Sequence, residues 1–147
     1  MTPEEIAELI TRRRRQLLVH SIIYYCMNDN LITDNQWAKW AIELEELQRD
    51  YPEIANNCPR AKEFENFDHS TGYNLPLNDP YAVATARRLL NMKHEKEKVM
   101  IWFVVYLLVL VTNIICLLSA GIETNNPRYW ISIVCVMLAY FAGRYGG

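Results

Sequence analysis

The chain has little of what usually builds a metal or phosphate site. Its three histidines, His20, His69 and His94, are isolated from one another and from any cysteine or carboxylate at ligand spacing. The sequence therefore predicts no metal site. Glycine is scarce, and Gly72 stands alone in its segment, which excludes a glycine-rich phosphate loop. No catalytic residue is predicted.

Paired cysteines and a strong net charge are also missing. The four cysteines form no Cys-x-x-Cys pair, and Cys116 and Cys135 fall in an apolar tail, so we expect reduced thiols in a cytosolic domain. A formal net charge of -2 argues against a nucleic-acid partner. The first residues are polar and lack the apolar region of a signal peptide, so we expect any membrane targeting to come from the C-terminal end.

Apolar residues are concentrated in that C-terminal end. The run over 99–118 is interrupted only by Thr112 and Asn113, and at 1.5 Å per residue it spans about 30 Å, the thickness of a bilayer core. A second run over 129–142, which reaches 145 if the Arg144 side chain extends to the membrane interface, is shorter and fits an interfacial segment as well as a span. The sequence predicts a helical domain over 1–93 and a transmembrane hairpin over 94–147, in preference to a buried hairpin of a soluble protein.

The flanking charges predict the topology of this hairpin. Basic residues precede the first run and Arg144 follows the second, whereas the loop between them holds only Arg128. The positive-inside rule then places the soluble domain and both termini in the cytoplasm, with the lipid bilayer as a partner. The small residues Ala139 and Gly143 have a spacing that allows self-association through the hairpin.

The sequence predicts that the domain over 1–93 is helical. A capping box opens a helix over 3–27, and a second box, Thr33 with Gln36, opens a helix over 34–50. The fold class is therefore expected to be all-α.

Proline positions predict the remaining elements. Pro59 is expected to begin a short helix to Phe67, and the segment 68–76 is a loop. Asp79 caps a longer helix through Leu90 that can continue into the first membrane run.

A basic run, Arg12 to Arg15, wraps most of one helical turn and presents no continuous face. We expect it to be solvated, with binding to DNA or to anionic lipid head groups as the alternatives.

The order of residues between Tyr24 and Glu53 is recognisable. It comprises Tyr24-Tyr25, Ile32-Thr33-Asp34, Trp37, Glu43-Leu44, Leu47 and Tyr51-Pro52-Glu53. This pattern resembles the N-terminal Ia domain of NAD-dependent DNA ligases, and the resemblance covers about 10–53. The longer stretch to Leu90 looks like small stand-alone ligase-related proteins of phages and prophages.

The resemblance implies a helical hairpin that binds the nicotinamide mononucleotide half of NAD. In that family the ligand is held by Tyr-His on the first helix and Asp-x-x-Tyr-Asp on the second. Tyr24 and Asp34 match the family residues. Tyr25 and Trp37 stand where histidine and tyrosine are usual, and Ala38 replaces the second aspartate. The implied cofactor-binding residues are Tyr24, Tyr25, Asp34 and Trp37, and the implied cofactor is NAD or nicotinamide mononucleotide.

The catalytic parts of a ligase are missing from the sequence. There is no Lys-x-Asp-Gly motif and no room for an adenylation domain, so the chain is not expected to seal DNA. We therefore predict a membrane-anchored, non-catalytic module that binds a nicotinamide nucleotide or a protein partner. The alternatives are a holin-like or toxin-like protein whose hairpin forms lesions, and an accessory subunit of a ligase.

Two structural alternatives concern the implied site itself. Tyr24, Tyr25, Trp37 and Trp40 are also the residues expected to form a small aromatic core between two helices. Asp34 is placed to cap the second helix without any ligand.

Overall fold

The computed structural model describes residues 1–119 and 126–145, and this part of the chain is all-α with no strand. The helices are α1 (Pro3–Met27), α2 (Asp34–Asp50), α3 (Pro52–Asn57), a 3-10 turn (Lys62–Phe64), α4 (Pro80–Ser119) and α5 (Pro127–Tyr145). The predicted fold class is confirmed. Most of the predicted loop between the two apolar runs lies outside the described residues. The chain divides into two compact units, Met1–Asn91 and Met92–Gly147.

Side-chain caps set the starts of the first two helices. The Thr2 hydroxyl accepts from the Glu5 backbone N–H, and the Glu5 carboxylate accepts from the Thr2 N–H, which completes the predicted capping box. The Thr33 hydroxyl accepts from the Gln36 N–H at 3.2 Å. Both helices begin and end where the sequence predicts.

The core of the first unit lies where α1 packs against α2. The two helices are antiparallel. Along α1 from Arg13 to His20, the residue contacted on α2 moves back from Glu43 to Trp40. The largest fully buried side chains are Phe64, Ile10, Leu17, Leu18, Ile22, Ile23 and Leu44. Each contributes about 1.5–3 kcal/mol by leaving water, so this contact fixes the ends of α1 and α2 relative to each other.

Two short elements differ from the prediction. Pro52 ends α2 as expected but also begins α3, because proline suits the first helical position, where no N–H bond is needed. The helix predicted over 59–67 is only the 3-10 turn Lys62–Phe64. Arg60 adopts a left-handed conformation, with φ 66°, which an α-helix does not allow.

The basic run is not uniformly solvated, so the prediction is wrong for two of its four residues. Arg14 is buried, and its guanidinium donates to Gln48 Oε1 at 2.7 and 2.9 Å and to the carbonyl oxygens of Cys58 and Pro59. Burial lowers the pKa of Arg14.

Arg13 is the second residue that departs from the prediction. Its guanidinium pairs with Glu43 at 2.6 Å and lies 5.4 Å from the centre of the Trp40 ring. Arg12 and Arg15 are exposed, as expected.

All four cysteines of the chain are free thiols. Helix α4 runs over Pro80–Ser119, and most of its length belongs to the second unit. Among the described residues it is the one helix long and apolar enough to cross a membrane, judged by length and composition. No residue in its 18-residue most apolar window is buried. The second apolar segment, Trp130–Phe141, is shorter.

Within the second unit, α4 and α5 run antiparallel. The rings of Tyr106 and Tyr140 lie 4.7 Å apart, and the Asn113 side-chain amide donates to Ser132 Oγ at 2.5 Å. Both contacts join the two apolar helices side by side.

Candidate functional site

A cavity of about 280 Å³ lies in the first unit. Its walls come from the C-terminal part of α1, the connection over 30–33 with the first turns of α2, and the segment 69–72 that precedes α4. All four residues that the resemblance implies, Tyr24, Tyr25, Asp34 and Trp37, line it, together with Ala38. Residues that are distant in sequence therefore meet at one opening.

The last turns of α1 carry the tyrosines out of the core. Ile22 and Ile23 are fully buried, whereas Tyr24 and Tyr25 are 56% and 43% exposed. Their rings meet edge to face at 4.9 Å. The predicted aromatic core is wrong for these two residues, because their rings remain open to solvent.

The two tryptophans behave differently from the tyrosines. Trp37 and Trp40 are partly buried and pack against the hydrophobic core. The ring of Trp37 lies 6.5 Å from that of Phe67, and the ring of Trp40 lies 5.7 Å from that of His20. Trp37 is thus both a core-anchored side chain and a wall of the cavity.

Asp34 occupies the first position of α2, directly after the residue that caps the helix. The cap is the Thr33 hydroxyl, so the alternative role of Asp34 as the cap is wrong. Among the described residues, the Asp34 carboxylate has no hydrogen-bond or ion-pair partner. It lies at the positive end of the helix dipole and faces the cavity, where it can accept hydrogen bonds or attract a cation.

The loop over 68–76 forms the third wall. Asp68 accepts hydrogen bonds from the backbone and the hydroxyl of Ser70, which lower the pKa of the Asp68 carboxyl. Thr71 Oγ1 accepts from the Tyr73 N–H and lies 3.2 Å from the Tyr25 hydroxyl. The contact between Thr71 and Tyr25 ties the loop to α1, and the other bonds lie within the loop. The sequence indicates a turn here but not its place in the cavity wall.

Two polar residues of α1 were also missed. Among the described residues, His20 Nδ1 and Ser21 Oγ have no hydrogen-bond partner, although both atoms are buried and both residues line the cavity. Burial lowers the pKa of His20, so its imidazole is neutral at pH 7. Helical spacing is the signal that could have found them, since they lie one turn before Tyr24 and Tyr25 on the same face.

The described residues include no group of three or more His, Cys, Asp or Glu that could hold a metal ion. His69 also lines the cavity, and its Nδ1 lies 2.5 Å from Glu45 Oε2. The cavity thus offers aromatic surfaces, hydroxyls and one carboxylate, an arrangement suited to holding a planar ligand.

The chain is similar to part of several bacterial DNA ligases. It is 40% identical to the DNA ligase of Thermotoga petrophila over 52 residues, which is 35% of this chain and 8% of the ligase. It is 38% identical to that of Thermotoga maritima over the same length, and 30% identical to that of Pseudothermotoga lettingae over 93 residues, 58% of this chain.

No protein-family model matches the chain, and no solved structure matches it. The chain spans only 8 to 14% of the length of these curated relatives. The identities to these ligases show that the chain contains a DNA-ligase-related region. The predicted phage or prophage source stays a prediction.

Proposed function

We propose that the chain is a membrane-anchored, non-catalytic binding module whose ligase-related helices recognise a nicotinamide nucleotide. The observation that supports this most directly is the meeting of Tyr24, Tyr25, Asp34 and Trp37 on one cavity. These are the positions at which the resembling family holds the nicotinamide mononucleotide half of NAD.

The size and lining of the cavity favour this half of the dinucleotide over the whole. Its volume of about 280 Å³ is at the lower limit of the roughly 300–1,000 Å³ that small-molecule sites occupy. Trp37 and the two tyrosines offer flat surfaces for a pyridine ring. Asp34, without a partner of its own among the described residues, can accept hydrogen bonds from ribose hydroxyls.

The second part of the proposal is that α4 anchors this domain in a bilayer. No residue in the apolar window of α4 is buried, and lipid is the solvent that suits such a surface. The shorter α5 returns alongside it, and the Asn113 side-chain amide donates a hydrogen bond to Ser132 Oγ between the two helices. The basic residues that flank the hairpin support a cytoplasmic location for the binding domain and for both termini in this proposal.

Calorimetric titration of the full chain in lipid nanodiscs tests the nucleotide. We expect heat with nicotinamide mononucleotide and with NAD, and a loss of at least about tenfold in affinity for Tyr24→Ala. Tyr81→Ala is the matched control, since Tyr81 is 83% exposed on α4 and does not line the cavity. The absence of heat with either ligand at millimolar concentration would remove the nucleotide and leave a protein partner.

Dye-loaded liposomes test whether the hairpin is only an anchor. The full chain should bind the liposomes and leave their contents enclosed. Release of the dye would instead support the lesion-forming alternative.

A further inference from the structure

We infer that the cavity selects a positively charged planar ring, such as a pyridinium, and that it does not recognise a phosphate group. This inference rests on the proposed nucleotide-binding role and defines the part of the ligand that the cavity reads. It follows from the presence of the Asp34 carboxylate and the absence of lysine and arginine among the described residues that line the cavity.

The lining carries a carboxylate and no strong cation. Asp34 faces the cavity, and none of the described lining residues is a lysine or an arginine. None of the four arginines of α1, Arg12 to Arg15, lines the cavity, and two of them are already engaged, Arg13 with Glu43 and Arg14 with Gln48. Lys39, which follows the lining residue Ala38 on α2, is exposed and does not line the cavity.

The two histidines of the lining do not replace these missing cations. His20 is buried and stays neutral at pH 7 because desolvation lowers its pKa. The His69 ring nitrogen Nδ1 is already engaged by Glu45, whose carboxylate oxygen lies 2.5 Å away. The electrostatic character of the cavity is therefore set by Asp34.

The aromatic walls add to this preference. The faces of tyrosine and tryptophan rings attract cations, and Tyr24, Tyr25 and Trp37 all border the cavity. Tyr25 is held in place by its contact with the Thr71 hydroxyl and by the Tyr73 ring, 5.5 Å away and nearly perpendicular. A ring nitrogen with a positive charge would thus meet aromatic surfaces together with one carboxylate.

A phosphate finds no comparable site. The N-terminus of a helix can bind anions, but the first residue of α2 is Asp34, whose negative charge repels them. The Gln36 N–H in the first turn is already bonded to Thr33. Removing the phosphate from the ligand should therefore cost little affinity.

Calorimetric titration of four ligands into the full chain in nanodiscs separates the contribution of the ring charge from that of the phosphate group. The ligands are nicotinamide mononucleotide, nicotinamide riboside, the cation 1-methylnicotinamide and neutral nicotinamide. We expect the mononucleotide and the riboside to bind within about threefold of each other, and 1-methylnicotinamide to bind at least about tenfold more tightly than nicotinamide. Asp34→Asn should remove most of the second difference, whereas Asp50→Asn, at an exposed aspartate outside the cavity, should keep it.

The outcomes also distinguish this inference from the proposed function. If 1-methylnicotinamide binds with the expected preference and neither riboside nor mononucleotide binds, the inference holds and the nucleotide role fails. If the mononucleotide binds at least tenfold more tightly than the riboside, or if the neutral and charged rings bind equally, the inference is wrong and the nucleotide role remains.

Discussion

Gly72 lies so close to Ser21 that a Cβ atom built on Gly72 would be 2.0 Å from Ser21 Oγ and 3.0 Å from the Trp37 ring. The backbone of the loop thus lies in close contact with α1 and α2 at the wall of the cavity. Only a residue without a side chain fits there, so the position of this wall depends on glycine.

Gly72→Ala should displace the loop and weaken binding of nicotinamide mononucleotide at least about tenfold, because a Cβ contact under 3 Å forces the backbone to move. Calorimetric titration of the variant in nanodiscs measures the change. Ser21→Ala combined with Gly72→Ala removes the nearest clash, with Oγ, but keeps the contacts with the Cβ atom of residue 21 at 2.9 Å and with Trp37 at 3.0 Å, so we expect partial recovery. Unchanged affinity of the single variant would mean that the loop does not form the site.

The buried Arg14 gives a second prediction. Arg14→Ala leaves the Gln48 side chain and the carbonyl oxygens of Cys58 and Pro59 without their donor, which should lower the free energy of unfolding by about 2–4 kcal/mol. Arg15→Ala, at an exposed neighbour, should change it by less than about 0.5 kcal/mol.

Hydrogen exchange of the buried α1 amides measures both effects in the full chain. Equal losses for Arg14→Ala and Arg15→Ala would show that the burial of Arg14 is not what stabilises this region.

Thr33 and Asp34 are neighbours with separable roles, which gives a third prediction. Thr33→Ala removes the cap of α2 and should lower stability by about 1 kcal/mol while leaving the carboxylate in the cavity. Asp34→Asn should lower stability by less, because it removes only a favourable charge near the helix dipole, yet it should weaken ligand binding more. Thermal unfolding and calorimetric titration of both variants should therefore rank them in opposite orders.

The pH dependence of stability provides a fourth prediction. Burial lowers the folded-state pKa of His20 below its ordinary value of about 6.5, so the unfolded chain takes up a proton that the folded chain does not. Stability should therefore fall as the pH decreases below about 6.5. The hydrogen bonds that lower the pKa of Asp68 and Asp79 act below about pH 4, outside this window.

His20→Gln should remove part of the loss of stability between pH 7 and pH 5. Urea titrations followed by tryptophan fluorescence at both pH values provide the measurement. If the variant and the unchanged protein lose stability in parallel over this interval, the contribution assigned to His20 is wrong.

Local signals predicted much of the first unit. Capping boxes and proline positions depend on neighbouring residues, so the bounds of α1 and α2 could be derived from the sequence. Tertiary packing could not be predicted from such local signals. Arg14 is buried because residues more than thirty positions away supply acceptors for it, and no local pattern contains that information.

The candidate site was likewise predicted in part and missed in part. Tyr24, Tyr25, Asp34 and Trp37 were found through the resemblance, and the fold brings them to one cavity. The loop wall at Gly72 was missed, because its role depends on a close approach to Ser21 that spacing along the chain does not encode. That the cap is Thr33 and not Asp34 became clear only from the hydrogen bonds.

The fifth prediction concerns the anchor. Leu108 and Val109 lie in the apolar part of α4 and are 61% and 45% exposed, so on the proposed topology they face lipid or the hairpin partner. Placing arginine at both positions should cost about 2.5–3.5 kcal/mol per residue on insertion scales and move the chain from the membrane to the soluble fraction. Thr85→Arg, at an exposed position on the same helix within the first unit, should leave the distribution unchanged. Membrane fractionation after alkaline extraction measures the effect, and a double arginine variant that stays in the membrane would show that α4 is not the anchor.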